Sequence, residues 1–181
     1  MVRDADASAG TFTDFLERLA ARTPTPAGGS VAALCTAQAA ALVAMVARFC
    51  ESPELAERAA DLVSQAQQLA DDDERAFGAV AHAWTLPQGE ERRTAIGAAL
   101  LAASEPQARV VETAIEVLVL IDQLRPAASG GLRSDLVAAG EVARAGSAIA
   151  RMNVESNVGR LPDSEERSRL LRRMGVAKVR N

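Results

Sequence analysis

GGSVAALCTAQAAALVAMVARFC, residues Gly28–Cys50, is the stretch of sequence that decides the fold. A helix built from it is apolar on nearly every side, and its one charged residue is Arg48. Such a helix belongs in the centre of a protein or in a membrane. Because the stretch is rich in alanine and is interrupted by Thr36, Gln38 and Arg48, we expect a buried core helix rather than a transmembrane span.

The composition of the whole chain indicates an all-α protein. The 181 residues include 39 alanines, one tryptophan, four phenylalanines and no tyrosine. Alanine is the best helix former, whereas strands favour β-branched and aromatic residues. So many small side chains also let helices approach closely, both within and between subunits.

Apolar spacing, prolines and glycines predict further helices on both sides of this stretch. Pro106 should kink the fourth helix or divide it in two. We expect one domain over residues 1–181, an antiparallel bundle of about five to six helices, with residues 1–10 and 177–181 loosely attached. The first predicted helix is capped by Thr11 or Thr13 and ends before Pro24. The helices predicted after the core helix are Pro53 to about Trp84, Glu90–Leu124, Ser134 to about Arg160, and a short terminal helix over 163–176.

Charge and reactive side chains narrow the possible functions. A formal net charge of -4 argues against a nucleic-acid partner. Cys35 and Cys50 lie about 22 Å apart along one predicted helix, so they cannot form a disulfide with each other. With His82 as the single histidine, we expect no metal site built by the protein. The N-terminus does not resemble a signal peptide, so we expect a cytoplasmic protein without membrane contact.

The loop before the core helix is the first candidate binding site. The prolines of Pro24–Pro26 stiffen it, while Gly28 and Gly29 allow close contact with the backbone. A helix N-terminus can hold a carboxylate, a phosphate or a developing oxyanion. The alternative is an ordinary rigid turn with Ser30 as the helix cap.

The acidic run in the third helix contains a second candidate. Asp73 lies in an apolar stripe, four residues after Leu69 and four before Phe77. Burial of a carboxylate is costly unless it has a partner, and burial raises the pKa of the group. Asp73 is therefore a possible acid, base or ligand-binding group, unless the stripe drifts and leaves it in water. Asp72 and Glu74 are expected on the solvated face.

The fifth helix carries polar residues at both ends. Ser134 and Asp135 at its start are typical of helix capping, or belong to a site if the preceding loop faces a cleft. Asn153 and Asn157 share one helix face and suggest buried hydrogen bonds. Asp135 and Asn153 are about 27 Å apart, so only an antiparallel partner subunit can bring them near each other.

Taken in order, these segments resemble the cyclodeaminase/cyclohydrolase family. That family includes the C-terminal half of formimidoyltransferase-cyclodeaminase and stand-alone bacterial methenyltetrahydrofolate cyclohydrolases. The resemblance spans roughly residues 12–161, and the glycine loop is its most specific part. The matching residues are Phe15-Leu16, Leu19-Ala20, Pro24 to Leu34, Asp71, Asp73, Ala76, Phe77, Val80, Leu86-Pro87, Ser134-Asp135, Asn153-Val154 and Asn157.

The resemblance implies a helical homodimer with a folate site in a cleft near the subunit interface. It also implies proton-transfer chemistry on a tetrahydrofolate substrate, with no further cofactor. Our hypothesis gives Asp135 or Asp73 the acid–base role. The substrate-binding residues would be Pro26, Gly28, Gly29, Ser30, Ser134, Asn153, Asn157 and Arg133, with Arg22, Arg133 or Arg151 facing the folate glutamate.

Two positions depart from the family pattern. Ala27 replaces the first of three glycines, and the stretch Ala128–Asp135 lacks two asparagines that the family usually has before Ser-Asp. Three functions therefore stay open: a formimidoyltetrahydrofolate cyclodeaminase, which releases ammonia; a methenyltetrahydrofolate cyclohydrolase or a relative with a non-folate substrate; and a catalytically silent helical dimer that binds other molecules.

Overall fold

A computed structural model describes residues 10–159 and 161–174, and within these residues it contains six helices and no strand. This confirms the all-α prediction. Apart from Gly10, the predicted loose termini, 1–10 and 177–181, lie outside the described residues. The helices are α1 (Phe12–Ala20), α2 (Gly28–Phe49), α3 (Pro53–Thr85), α4 (Glu90–Leu124), α5 (Gly131–Val158) and α6 (Glu165–Arg173).

Helices α2 to α5 form a four-helix bundle with up-down-up-down topology. Two clusters of buried apolar residues define the helix directions. One contains the start of α2 and the residues Leu69, Val110 and Val154. The other contains the end of α2 together with Leu62 and Leu136. Helices α3 and α5 are therefore antiparallel to α2, whereas α4 runs parallel to it, and all three pack against it.

The central position of α2 follows from its small, apolar side chains. Most of its residues are buried, although by length and composition alone it is also apolar enough to cross a membrane. Helix α5 approaches it closely at Gly146, where an added Cβ atom would lie 2.7 Å from Thr36 Oγ1 and 2.8 Å from the carbonyl oxygen of Ala32. The core-helix interpretation is the one that this packing supports.

The start of α5 differs from the prediction, and the structure also decides how Pro106 affects α4. Helix α5 begins at Gly131 rather than Ser134, because Gly130 adopts a φ of 53° and turns the chain into the helix one turn earlier. Ser134 then lies inside the first turn, where its hydroxyl donates to the carbonyl of Gly131. Of the two effects predicted for Pro106, a kink or a division, the division is excluded, because α4 is one continuous helix that contains Pro106.

Candidate functional site

The carboxyl group of Asp73, from α3, lies against the N-terminus of α2. Ser30 Oγ donates to Asp73 Oδ2 at 3.5 Å, and Ser30 itself is fully buried. At Gly29 an added Cβ atom would lie only 2.2 Å from Asp73 Oδ2. The carboxyl therefore occupies the space that any larger residue at position 29 would fill.

This arrangement decides between the two interpretations of the glycine loop. The cap of α2 is Ala27, whose methyl side chain cannot accept a hydrogen bond, so Ser30 is not the cap and lies within the first turn. The helix N-terminus instead meets the carboxyl of Asp73. The positive end of a helix dipole favours a negative charge at that place. The loop thus faces a carboxyl group that belongs to the chain itself.

The environment of Asp73 raises its pKa above the usual value for an aspartate. Burial, which penalises the charged form, is the largest cause. Hydrogen bonds from Gln107, from the Ser30 hydroxyl and from the Ser30 backbone act in the opposite direction. Asp73 is thus partly buried and hydrogen-bonded by groups of Gln107 and Ser30, whereas Phe77, the next residue of the predicted stripe, is 39% exposed.

Two amide side chains continue the network from Asp73 across the bundle. Gln107 Nε2 of α4 donates to Asp73 Oδ1 at 2.7 Å, and Asn153 Nδ2 of α5 donates to Gln107 Oε1 at 3.4 Å. Asn153 also lies close to the start of α2, since a Cβ atom on Gly28 would be 3.8 Å from its Nδ2. Side chains from α2, α3, α4 and α5 therefore meet at one level of the bundle.

Gln107 was not among the residues predicted from sequence. The signal was present, because Gln107 stands four residues after Ala103 and four before Val111, and both of these are buried. An amide in an apolar stripe indicates a buried hydrogen bond by the same reasoning that selected Asp73.

Glu74 corrects another prediction, because it does not lie on a solvated face. Its carboxylate is paired with Arg18 of α1 at 2.8 Å, and only 13% of its side chain is exposed. Burial raises the pKa of Glu74, and the charge of Arg18 opposes this increase. The neighbouring Asp71 is buried as well. Arg18 lies on a different helix, so local spacing in the acidic run could not reveal this ion pair.

The remaining predicted residues do not gather around Asp73 within one chain. Ser134, Asp135 and Arg133 lie at the opposite end of α5, about 27 Å from Asn153 by helical rise. Arg133 donates to the carbonyl of Ala128, and Arg151 to the carbonyl of Met174. The rest differ in burial: Pro26 is buried two residues before α2, Asn157 is half-buried one turn after Asn153, Arg22 is exposed after α1, and His82 is exposed near the end of α3.

The chemistry available at this site is proton transfer. A carboxyl group can accept and donate a proton, and a raised pKa increases the fraction of its protonated form at a given pH. Its two oxygens face different donors, Gln107 and Ser30, so its orientation is determined from both sides.

The fold and the site together define a class of protein: an up-down-up-down helical bundle in which a carboxyl of the second long helix lies on the glycine-rich start of the first. The chain belongs to the formiminotransferase-cyclodeaminase family, whose model matches residues 11–175. Its fold is similar to that of formiminotetrahydrofolate cyclodeaminase from Thermotoga maritima, with a TM-score of 0.85, 23% identity, and coverage of 94% of this chain and 89% of that chain. No curated protein sequence matches the chain.

Proposed function

We propose that the protein is a formimidoyltetrahydrofolate cyclodeaminase, which closes the one-carbon ring and releases ammonia. The observation that carries the proposal is the Asp73 carboxyl, held on the N-terminus of α2 by Ser30 and Gln107 with a raised pKa. Membership of the formiminotransferase-cyclodeaminase family and the fold shared with the Thermotoga maritima enzyme support it.

The reaction needs one proton to move between two nitrogens of the substrate. The neighbouring amine attacks the formimidoyl carbon and becomes acidic. The terminal nitrogen of the formimidoyl group must gain a proton before its bond to carbon breaks and it leaves as ammonia. A carboxylate that accepts the first proton and donates the second returns to its starting state. Asp73 suits both steps because its raised pKa lies nearer to neutrality than that of an exposed aspartate.

The product also favours a carboxylate at this place. Methenyltetrahydrofolate carries a positive charge spread over its ring carbon and two nitrogens. An ionised Asp73 stabilises this developing charge in a site that is partly removed from water. Asn153 of α5, whose side chain lies near Gly28 at the start of α2, would orient the substrate.

A homodimer is part of the proposal, because Asp135 can reach the site only from a second subunit. Helix α5 is antiparallel to α2, so Asp135 lies beside the C-terminal end of α2. The outer side of α2 exposes Ala41 and Phe49, the latter to 70%. Two-fold pairing of α2 with a second α2 would place the end of one helix beside the start of the other, and the partner subunit's Asp135 near Asp73.

Mixing two inactive variants tests this dimer. If each site uses Asp73 from one subunit and Asp135 from the other, mixed dimers of Asp73→Asn and Asp135→Asn contain one intact site. Refolding an equal mixture should then restore about a quarter of wild-type activity. If the mixture stays as inactive as its components, or if the wild type sediments as a monomer, the shared site is wrong.

The proposed reaction itself is tested by steady-state turnover. Wild type should convert formimidoyltetrahydrofolate to methenyltetrahydrofolate and ammonia in equal amounts, and Asp73→Asn should lose at least about 100-fold in kcat. Asp72→Asn is the matched control, because Asp72 is the preceding residue and bonds the surface residues Arg75 and Gln68. Absence of turnover by wild type contradicts the folate assignment, while full activity of Asp73→Asn contradicts only the role of Asp73.

The missing asparagines in Ala128–Asp135 favour a second candidate, the cyclohydrolase or a relative with another substrate. Cyclohydrolysis uses similar proton transfers, with water adding to the methenyl carbon. Assay with methenyltetrahydrofolate distinguishes it from the deaminase. Calorimetric titration with tetrahydrofolate separates both from a silent binding protein: no heat at millimolar ligand would exclude the two folate enzymes.

A further inference from the structure

We propose that Gln107 is a positioning residue that fixes the Asp73 carboxyl in its working orientation, and that Asn153 fixes which end of the Gln107 amide faces Asp73. The kinetic part of this inference rests on the proposed function, whereas its spectroscopic part does not.

The geometry of Gln107 supports the first half of the inference. Gln107 is 99% buried, and its Nε2 donates to Asp73 Oδ1 at 2.7 Å, a short distance typical of a hydrogen bond to a charged group. The other carboxyl oxygen faces Ser30 at 3.5 Å, which is the weaker contact. Of the two side-chain donors that hold Asp73, Gln107 is therefore the dominant one.

The geometry of Asn153 supports the second half. An amide has a donor end and an acceptor end, and a glutamine beside a carboxylate is useful only when its NH₂ group points to it. The Gln107 oxygen accepts from Asn153 Nδ2 at 3.4 Å. This acceptor contact leaves the NH₂ group of Gln107 directed at Asp73. Asn153, Gln107 and Asp73 thus form a directional chain that links α5, α4 and α3.

The charged groups around Asp73 do not replace this chain. Helix α2 has no charged side chain before Arg48, and its Cys35 faces Gly146 of α5. On α3, Asp71 and Glu74 are the acidic neighbours, and Arg18 of α1 is paired with Glu74. The charged residues next to Gln107 and Asn153 in sequence are Glu105, Arg109, Arg151 and Glu155; all are exposed except Arg151, which is half-buried and bonds a backbone carbonyl.

The experiment follows the titration of Asp73 itself in the protein without substrate. Carboxyl-labelled aspartate gives one carbon NMR signal for each of the ten aspartates, and the signal missing in Asp73→Asn is assigned to Asp73. Gln107→Met keeps the volume of the side chain and removes the donor. The midpoint of the Asp73 titration should rise by roughly one pH unit, because burial is unchanged and a hydrogen bond to the ionised form is lost.

Two further variants complete the design. Asn153→Ala should raise the midpoint by a smaller amount, because Gln107 keeps its NH₂ group but no longer has a preferred orientation. Gln68→Met is the matched control: Gln68 donates to Asp72 on the exposed side of α3, and its loss should leave Asp73 unchanged. In active enzyme, the acid limb of the kcat/KM profile should move to higher pH together with the NMR midpoint. For Gln107→Met this lowers kcat/KM about tenfold at a fixed low pH.

An unchanged Asp73 midpoint in folded Gln107→Met overturns the inference and makes Gln107 a simple packing residue. If Gln107→Met does not fold, Gln107→Glu replaces it: a second carboxyl at this distance must couple to the Asp73 titration, and independent titration overturns the inference. A shifted midpoint without any folate turnover by wild type leaves this inference standing and contradicts the proposed function instead.

Discussion

Replacing Gly29 with alanine tests whether the close approach of Asp73 to α2 matters for activity. The new Cβ atom would lie 2.2 Å from Asp73 Oδ2 and 2.3 Å from Oδ1. The carboxyl must therefore withdraw by about 1 Å to reach a tolerable contact distance. The Ser30 hydroxyl bond, already 3.5 Å long, breaks during this movement.

The effect on stability should be small. Alanine is favoured over glycine in a helix by about 0.5–1 kcal/mol, which offsets most of the loss of the long Ser30 hydrogen bond, about 0.5–1.5 kcal/mol. The obstructed atoms are the end of one side chain rather than backbone, so the bundle need not move. Activity is different, because a misplacement of about 1 Å can lower a rate on the order of 100-fold.

The assay compares Gly29→Ala with Gly78→Ala, a helical glycine of α3 that lies outside the candidate site. At Gly78 an added Cβ atom meets nothing within 4 Å, so that variant should keep wild-type kcat. Turnover of formimidoyltetrahydrofolate and thermal unfolding are measured for both. Wild-type turnover by a folded Gly29→Ala enzyme would refute the idea that catalysis requires Asp73 against the α2 N-terminus.

Three further predictions concern stability. Because burial raises the pKa of Asp73, the stability contributed by its protonated form is full below the unfolded pKa of 3.8 and is lost as the pH rises through the folded pKa. Asp73→Asn should therefore be more stable than wild type at pH 7, with a difference that vanishes toward pH 3.8 in urea unfolding; an equal difference at both pH values would contradict the raised pKa. Gly146→Ala places a Cβ atom 2.8 Å from a backbone oxygen of α2 and should lower the free energy of unfolding by about 1–3 kcal/mol. In the control, Gly78→Ala, the new Cβ atom meets open space, so the melting temperature of the protein should rise. Equal melting temperatures of the two variants would contradict the close packing of α2 and α5. Arg18→Ala removes the ion pair with Glu74 and should lower the free energy of unfolding by about 1 kcal/mol at low salt. An unchanged free energy in urea titration at low salt would mean that this ion pair contributes little to stability.

Much of the fold could be predicted because its signals are local. The apolar periodicity placed α4 at Glu90–Leu124, and proline and glycine positions gave the start of α2 and α3. Spacing also indicated that Asp73 is partly buried, but the same apolar stripe fails at Phe77, which is 39% exposed. These inferences need only the geometry of one helix.

What local reasoning could not predict depends on contacts between helices. Glu74 looked solvated because its partner, Arg18, is 56 residues away on α1. Gln107 is 34 residues from Asp73, so nothing in the sequence near either residue reveals the bond between them. Only the packing of α3 against α4 brings those two side chains together. The distance between them cannot be predicted from the spacing of residues within either helix.

The alanine at position 27 has a consequence for how this helix can be changed. In most helices, serine, aspartate or asparagine at that position stabilises the first turn by accepting from its N–H groups. Here such a side chain would compete with Asp73 for the same N–H groups, and an aspartate would add a second negative charge beside it. The weakest local choice at residue 27 keeps the helix end available to a residue 46 positions further along the chain. A better capping residue at position 27 would thus displace the Asp73 carboxyl from the N-terminus of α2.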